Sequence, residues 1–337
     1  MDLNDRKKKI LTHIIDDYIN SAEPVGSKTI VDKYDFGCSS ATIRNDMKEL
    51  EEEGYLDQLH ISSGRVPSSK GYRYYVNNLM KADSLSMVDI NYIDNSINGY
   101  GDTEHLLKQV TSTVSKILNR PAMLSIKNID VLENIKLLKI SEKLVLVVLL
   151  SKNGKVIDVF AKLTDKVEEN NLIELSKVLN TNLKGTPLEN VYTVISDALE
   201  NELKKYSDIL SKICESIKEE VQGKKVVESD LENMLNLPEF SDVSKIKNFM
   251  NMLSTKEIIE SAINKIESED IGIVIGSENN EMILKDYSIM SLDLPDEMGY
   301  SGKISVISPK RMDYSKTMQT LGYINKKIKS IFRKGDE

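Results

Sequence analysis

The chain has 337 residues, of which 40% are hydrophobic and 29% are charged, and this composition is typical of globular proteins rather than disordered or fibrous ones. At roughly 150 residues per domain, the length predicts two or three domains. The longest purely apolar run, Leu144 to Leu150, is far shorter than the roughly 20 residues that cross a bilayer. The N-terminus is amphipathic and unlike a signal peptide, so we expect a cytoplasmic protein without membrane contact. The two cysteines, Cys38 and Cys214, give neither a disulfide framework nor a zinc motif.

The net charge is −8, from 45 Lys and Arg against 53 Asp and Glu, so the totals do not indicate a nucleic-acid partner. A local exception runs from Gln58 to Ala82. This segment contains no Asp or Glu and carries four cations, Arg65, Lys70, Arg73 and Lys81. The sequence therefore predicts a basic surface within an acidic protein.

Three short helices are predicted at the start of the chain. Apolar residues recur on one helical face from Ile10 to Ile19, and a second segment follows Ser27. A third helix is predicted to begin at Ser39 or Ser40 and to end at Gly54, because glycine suits a helix C-terminal cap. This order is that of a helix-turn-helix unit.

A hairpin is predicted after the third helix. Its expected parts are a strand from Tyr55 to Ile61, a turn at Ser62-Ser63-Gly64 and a return segment from Tyr72 to Val76. Two strands in this place make the helix-turn-helix unit winged. The alternative is an ordinary surface hairpin.

The third helix has the chemistry of a DNA-reading helix. Ile43, Met47 and Leu50 share one face, whereas Asn45 and Lys48 lie on the opposite face. Arginine can bridge two acceptors of guanine, asparagine can pair with adenine, and hydroxyls at a helix start can bind phosphate. The alternative is a solvated helix face without a partner. We predict a DNA-binding surface made of Ser39, Ser40, Thr42, Arg44, Asn45, Lys48, His60, Ser63, Arg65, Lys70 and Arg73.

The remainder of the chain alternates between helical and strand patterns. Residues 83–120 are predicted to be helical with an interruption at 98–101. Three strands are then predicted at Ile135–Ile140, Leu144–Leu150 and Val156–Leu163, the last two joined by a turn containing Asn153-Gly154, and they are followed by helices at 167–180 and 187–222. A second mixed region is predicted to contain strands at 226–228, 271–275, 282–285, 288–292 and 302–307, with helices near 242–266 and 313–332.

Five ordered motifs in the first 76 residues resemble the heat-inducible transcription repressor (HrcA) family. They are Glu23 to Lys28, Ser40 to Met47, Leu50 to Leu56, Ser63 to Pro67 and Lys70 to Val76. The resemblance continues more weakly through Pro238 to Asp242, Ile275 to Asn279 and Pro309 to Tyr314, and so spans nearly the whole chain.

The resemblance implies an α+β multidomain protein. Its parts would be a winged helix-turn-helix domain at 1–80, a GAF-like α+β domain formed by 81–130 and 223–337, and an α/β dimerisation domain inserted at 131–222. It implies a repressor of heat-shock (chaperone) operons that binds an inverted-repeat operator in double-stranded DNA as a homodimer. Repression would be relieved by heat, and the GroE chaperonin would maintain the active repressor.

No enzyme signature is present in the sequence. It lacks a GxxxxGK phosphate loop, a GxSxG elbow and a metal-spaced His/Cys cluster, so we expect no enzyme activity, no cofactor and no metal. One alternative is a winged-helix regulator whose GAF-like domain senses a small molecule. A bifunctional biotin ligase would also fit the α+β remainder, but its glycine- and arginine-rich nucleotide loop is missing. For the dimer contact, we expect the apolar stripe of 187–222 together with the strands of 135–163. The alternative is that this stripe packs only within its own domain.

Overall fold

A computed structural model describes residues 3–60, 63–81, 84–97, 103–152, 154–201, 206–221, 225–229, 237–295 and 300–332. The chain forms two compact units. The first comprises Met1–Leu124, Val226–Asp293 and Lys303–Glu337, and the second comprises Ser125–Lys225 and Leu294–Gly302. Within the described ranges, no helix is long and apolar enough to cross a membrane.

The first unit opens with the three predicted helices and a short hairpin. They are α1 (Asp5–Ser21), α2 (Ser27–Lys33), α3 (Ser40–Glu52), β1 (Leu56–Asp57) and β2 (Val66–Pro67). The two strands are antiparallel, with Leu56 opposite Pro67. Gly54 has a φ of +79° and follows α3, which confirms the predicted glycine cap. Ile10, Ile14, Ile30, Ile43 and Leu50 are fully buried and form the core of the three helices.

The predicted return strand from Tyr72 to Val76 is wrong. Strand β2 takes that role, and the aromatic segment forms α4 (Ser69–Tyr74) followed by a π-helical turn, Tyr75–Leu79. Tyr72 and Tyr75 are the buried rings of this segment, and their spacing of three is helical rather than alternating. The Ser68 hydroxyl also caps α4 by accepting a hydrogen bond of 3.0 Å from the Gly71 amide.

Two helices and a strand follow, α5 (Met87–Ile97), α6 (Thr103–Leu118) and β3 (Ala122–Asn128). The helices confirm the prediction for 83–120, whereas the predicted interruption at 98–101 lies outside the described residues. Strand β3 was not predicted.

The second unit is a three-stranded antiparallel sheet covered by helices. Strands β4 (Leu132–Ser141), β5 (Leu144–Ser151) and β6 (Val156–Lys162) lie where the sequence predicts them. Helix α7 (Glu169–Leu183) is also confirmed in place. The single helix predicted at 187–222 is wrong, because a 3₁₀ turn, Leu188–Asn190, precedes two separate helices, α8 (Val191–Asn201) and α9 (Ser207–Val221).

The apolar stripe of α8 and α9 forms the core of this unit. Ile195, Leu210, Ile213 and Ile217 are fully buried and belong to one cluster with the inner residues of the sheet, such as Val147. The stripe is therefore covered within its own unit and is not an open contact surface, contrary to the expectation for the dimer.

The chain ends with β7 (Lys225–Ser229), α10 (Val243–Ser254), α11 (Lys256–Asn264), β8 (Ile271–Ile275), β9 (Tyr287–Asp293), β10 (Tyr300–Pro309) and α12 (Tyr314–Phe332). A five-stranded sheet has the order β7-β3-β10-β9-β8, in which β8, β9 and β10 are antiparallel. The strand predicted at 282–285 is wrong. It is a 3₁₀ turn, Met282–Leu284, in which Leu284 is buried and Met282 is 75% exposed.

Candidate nucleic-acid interface

Helix α3 is held by its cap and by two sets of charged contacts from α1. The Ser39 hydroxyl accepts a hydrogen bond from the Thr42 amide at 3.3 Å, which satisfies one of the free amides at the helix start. The Arg6 guanidinium forms a two-point contact with the buried carboxylate of Asp46, at 2.7 and 3.0 Å. The Lys7 ammonium contacts the carboxylates of Glu49 at 2.9 Å and Glu53 at 2.7 Å. These contacts fix the rotation of α3 about its axis.

Fixing that rotation determines which side of α3 meets the solvent. Ile43, Met47 and Leu50 face the core, as predicted. Arg44 and Asn45 are exposed, and neither side chain has a hydrogen-bond or ion-pair partner among the residues that the structure describes. Two strong hydrogen-bonding groups are thus displayed to solvent on adjacent positions.

His13 of α1 packs against two aromatic rings. Its ring stacks on Tyr34 at a centroid distance of 3.7 Å and meets Phe36 edge-on at 5.8 Å. Burial lowers the pKa of His13, so the folded state favours the neutral imidazole.

The exposed side of α3 and the β1–β2 hairpin line one open cleft of about 730 Å³. The cleft contains five of the predicted DNA-binding residues, Arg44, Asn45, Lys48, Ser63 and Arg65. Sequence reasoning did not assign seven further lining residues to this surface, namely Gly26, Ser27, Met47, Glu51, Glu52, Gln58 and Gly64. All of them except Gln58 lie in the motifs quoted above, which is the one signal that could have identified them.

The hairpin is attached to the segment before α2 by backbone pairing. The Val25 amide donates to the Arg65 carbonyl at 2.9 Å, and the Arg65 amide donates to the Val25 carbonyl at 2.8 Å. Gly64 permits this approach, because a Cβ at that position would lie 2.5 Å from the carbonyl carbon and oxygen of Val25. One wall of the cleft therefore depends on a residue without a side chain.

His60 and Ser63 face each other across the turn of the hairpin. The Ser63 hydroxyl donates to the His60 carbonyl at 2.8 Å and accepts from the His60 amide at 3.0 Å. Ser63 thus shapes the turn, whereas the His60 side chain is exposed.

Arg65 is paired inside the cleft. Its guanidinium contacts the Glu51 carboxylate at 2.7 and 2.8 Å, and its side chain is only 19% exposed. Glu51 and Glu52 also line the cleft, so two carboxylates lie beside its basic residues.

Lys70 and Arg73 lie on α4 and are not part of the cleft. The Lys70 ammonium donates to the Glu53 carbonyl at 2.7 Å and lies 4.3 Å from the centre of the Tyr55 ring. The Arg73 guanidinium contacts the Glu278 carboxylate and donates to the Ile273 carbonyl at 2.8 Å. Ser39, Ser40 and Thr42 lie at the N-terminal end of α3 and His60 lies on the turn, also outside the cleft lining.

Comparison with known proteins finds relatives that match nearly the whole chain. A family profile described as "HrcA protein C terminal domain" matches residues 104–318. The heat-inducible transcription repressor HrcA of Acetivibrio thermocellus is 35% identical over 337 residues, covering 98% of this chain and 96% of the relative. The protein of the same name from Ruminiclostridium cellulolyticum is 36% identical over 338 residues, covering 97% and 96%.

The fold also has a solved counterpart. A crystal structure described as a hypothetical protein matches with a TM-score of 0.68 at 24% identity and covers 99% of both chains. The sequence match over nearly the full length agrees with the motifs around α3 and the hairpin. The chain therefore belongs to the HrcA family.

Proposed function

We propose that this chain is a heat-inducible transcription repressor that binds an inverted-repeat operator as a homodimer, with α3 in the major groove. The names of its relatives support the repressor role. The observation that carries the DNA-binding surface is the exposure of Arg44 and Asn45 on α3, where neither side chain has a partner within the described part of the chain. Unpaired polar side chains on a rigid helix are available to pair with base edges.

Three parts of this surface have different roles in the proposal. Arg44 and Asn45 read bases, because both can make two-point contacts with a base edge. Ser39, Ser40 and Thr42 meet a phosphate at the positive end of α3, and Lys48 and His60 contact the DNA backbone. Arg65 and Ser63 support the hairpin from within the cleft. We leave Lys70 and Arg73 out of the surface because their charged groups bind Glu53 and Glu278.

The test of this surface is a ratio of affinities. Arg44→Ala and Asn45→Ala should each reduce the preference for an operator, taken upstream of chaperone genes, over a scrambled duplex by about 1–3 kcal/mol, or roughly 5- to 150-fold. Fluorescence anisotropy at fixed salt measures both affinities. Lys9→Ala is the matched control, because Lys9 is an exposed cation of α1 outside the cleft. An unchanged ratio for both helix variants would rule out α3 as the reading helix.

For the dimer, we propose the outer face of the β4-β5-β6 sheet. Leu138, Leu146 and Phe160 lie opposite one another across the three strands, as do Leu150 and Val156 on two of them. Four of these side chains are strongly exposed, with Leu138 at 47%, Leu150 at 38%, Val156 at 58% and Phe160 at 57%. The row Lys136–Val148–Asp158 lies between these two apolar groups on the same face. Exposed apolar side chains grouped on one sheet face are typical of a contact surface, and a two-fold operator requires a two-fold protein.

Sedimentation velocity tests the dimer. Phe160→Glu should convert the dimer to monomers, because it places a charge within the proposed contact, at its most exposed aromatic side chain. Ile173→Glu is the control, since Ile173 is 49% exposed on α7 of the same unit. A dimer that persists in the Phe160 variant at micromolar concentration would exclude this face.

Control by heat follows from a shift in the population of the DNA-competent fold. Warming reduces the folded dimer, and the GroE chaperonin restores it, so that unfolded clients competing for the chaperonin relieve repression of heat-shock operons. Operator binding after mild heating and cooling, with and without chaperonin and ATP, tests this step. Full spontaneous recovery with no gain from chaperonin would exclude chaperone titration.

A further inference from the structure

Strand β5, the central strand of the second unit, is apolar on both of its faces. It contains Leu144 to Leu150, the longest purely apolar run of the chain. Val145, Val147 and Leu149 are buried in the core of the unit. The alternate residues lie on the outer face of the sheet and are half-buried or exposed, namely Leu144, Leu146, Val148 and Leu150. A continuous hydrophobic strand is typical of a sheet covered on both faces, so β5 indicates a cover that the described residues of one protomer do not provide.

Two opposite charges flank the middle of this outer face. Lys136 of β4 and Asp158 of β6 lie on either side of Val148 in one row across the three strands. Both side chains are exposed, and neither has an ion-pair partner among the residues that the structure describes. The outer face therefore has an apolar strip along β5, with a positive charge on one side of it and a negative charge on the other.

This pattern is complementary to itself in one of the two symmetric ways of stacking the face on its own copy. A two-fold axis that lies between the sheets and runs parallel to β5 places β4 over β6 of the partner subunit. Lys136 then faces Asp158 of the partner subunit, the reverse pair forms at the same time, and Val148 faces its own copy. The next row is matched as well, since Leu138 faces Phe160 of the partner subunit.

The other symmetric arrangement brings like charges together. A two-fold axis at right angles to β5, through the same row, places Lys136 over its own copy and Asp158 over its own copy. Like charges that face each other across an interface are destabilising and suppress the arrangement that contains them. The charge pattern therefore favours the axis parallel to β5.

The geometry of sheet packing allows both charge pairs to form. Packed sheets lie about 10 Å apart, and their strand directions differ by about 30°. Lys136 and Asp158 are each one strand, about 4.8 Å, from the axis, so this crossing angle displaces facing residues by about 2.5 Å. The flexible four-carbon stem of a lysine can span that displacement.

We propose that a second copy of this chain packs on the outer face of the β4-β5-β6 sheet with the two-fold axis parallel to β5, so that Lys136 and Asp158 pair between protomers. This inference rests on the dimer face proposed above and adds how the two copies are arranged on it. The apolar strip of β5 supplies the affinity, because its outer residues leave water. The two charge pairs fix the arrangement and exclude the crossed one.

Charge reversal in the full-length chain tests the pairing. Lys136→Glu and Asp158→Lys should each raise the dissociation constant of the dimer by about tenfold or more, because each places like charges opposite one another. An equimolar mixture of the two variants should dimerise as the wild type does, and so should the double variant. Sedimentation velocity measures all four. Lys177→Glu is the matched control and should keep the wild-type dimer, because Lys177 is an exposed cation on α7, whose apolar residues pack on the inner side of the sheet.

A mixture of the wild type with the double variant decides between the two arrangements. With the axis parallel to β5, mixed dimers would contain only like-charged pairs and should fall below the statistical share in native mass spectrometry of a tagged and an untagged chain. With the crossed axis, each charge would meet its reversed counterpart, and mixed dimers would exceed that share. Mixed dimers at or above the statistical share, or two single variants that stay monomeric when mixed, would overturn the arrangement. A Phe160→Glu protein that remains dimeric would instead exclude the whole face, which separates failure of the dimer proposal from failure of this one.

Discussion

An alanine at position 64 would place its Cβ 2.5 Å from the carbonyl carbon and oxygen of Val25 and 2.7 Å from the carbonyl carbon of Pro24. All three are backbone atoms, so no side chain can rotate to make room. Ordinary van der Waals contact lies at 3.4–4 Å, and the hairpin must therefore move by about 1 Å. The Val25–Arg65 hydrogen bonds of 2.9 and 2.8 Å would then be lost. At about 1 kcal/mol each, their loss predicts a destabilisation of ~2 kcal/mol.

The effect on DNA binding should differ from that of the α3 variants. Gly64→Ala moves one wall of the cleft but leaves Arg44 and Asn45 on α3, so affinity should fall for operator and scrambled DNA alike. Urea unfolding and anisotropy measure the two effects. Gly26→Ala is the matched control in the same cleft, because its Cβ would meet only the Thr29 hydroxyl, at 3.7 Å. A Gly64→Ala protein as stable as the Gly26→Ala protein would refute the close-approach argument.

Three further results are expected. In a double-mutant cycle of Arg6→Ala and Asp46→Ala, urea unfolding should show a favourable coupling between the two positions, because removal of either partner leaves the two-point contact unmade. A coupling near zero would contradict its role in fixing α3. Folding lowers the pKa of His13, so the contribution of its neutral ring to the free energy of unfolding should be fully present above about pH 7 and should fall as the pH drops through the pKa of the unfolded chain, near 6.5. The difference in unfolding free energy between the wild type and His13→Phe should therefore shrink from pH 8 to pH 5.5. A difference that stays constant over this range would refute the burial of a neutral His13. Arg73→Ala should lower stability by about 1–2 kcal/mol through loss of the Glu278 contact and leave the salt dependence of DNA binding unchanged, whereas a shallower salt slope would return Arg73 to the DNA surface.

Local patterns predicted the elements that depend on neighbouring residues. The start of the third helix at Ser39 or Ser40, the glycine at position 54 and the three strands from Leu132 to Lys162 were found where expected, because capping and alternation act over a few residues. The segment from Tyr72 to Val76 was mispredicted because aromatic residues favour strands in general, whereas here two buried rings lie on one helical face. Packing against the rest of the unit therefore determined the structure of this segment more strongly than the strand propensity of its aromatic residues.

The side-chain partners of the cations could not be predicted in the same way. A window from Gln58 to Ala82 contains no acid, yet Arg65 pairs with Glu51 from α3 and Arg73 pairs with Glu278, which is 205 residues further along the chain. Such partners are brought close only by the tertiary fold. The acid-free segment is for this reason much less basic as a surface than as a sequence.

Because Arg65 is paired with Glu51, general affinity for DNA and preference for particular bases depend on different residues of the proposed interface. A phosphate that binds Arg65 must compete with the Glu51 carboxylate, so the hairpin contributes little free positive charge. Arg44 and Asn45, in contrast, have no partner among the described residues that a base edge would have to displace. Binding of scrambled DNA, which depends on released counterions, should accordingly be weak for a chain of net charge −8, while base contacts from α3 remain available. An acidic protein can in this way discriminate an operator without holding the rest of the chromosome tightly.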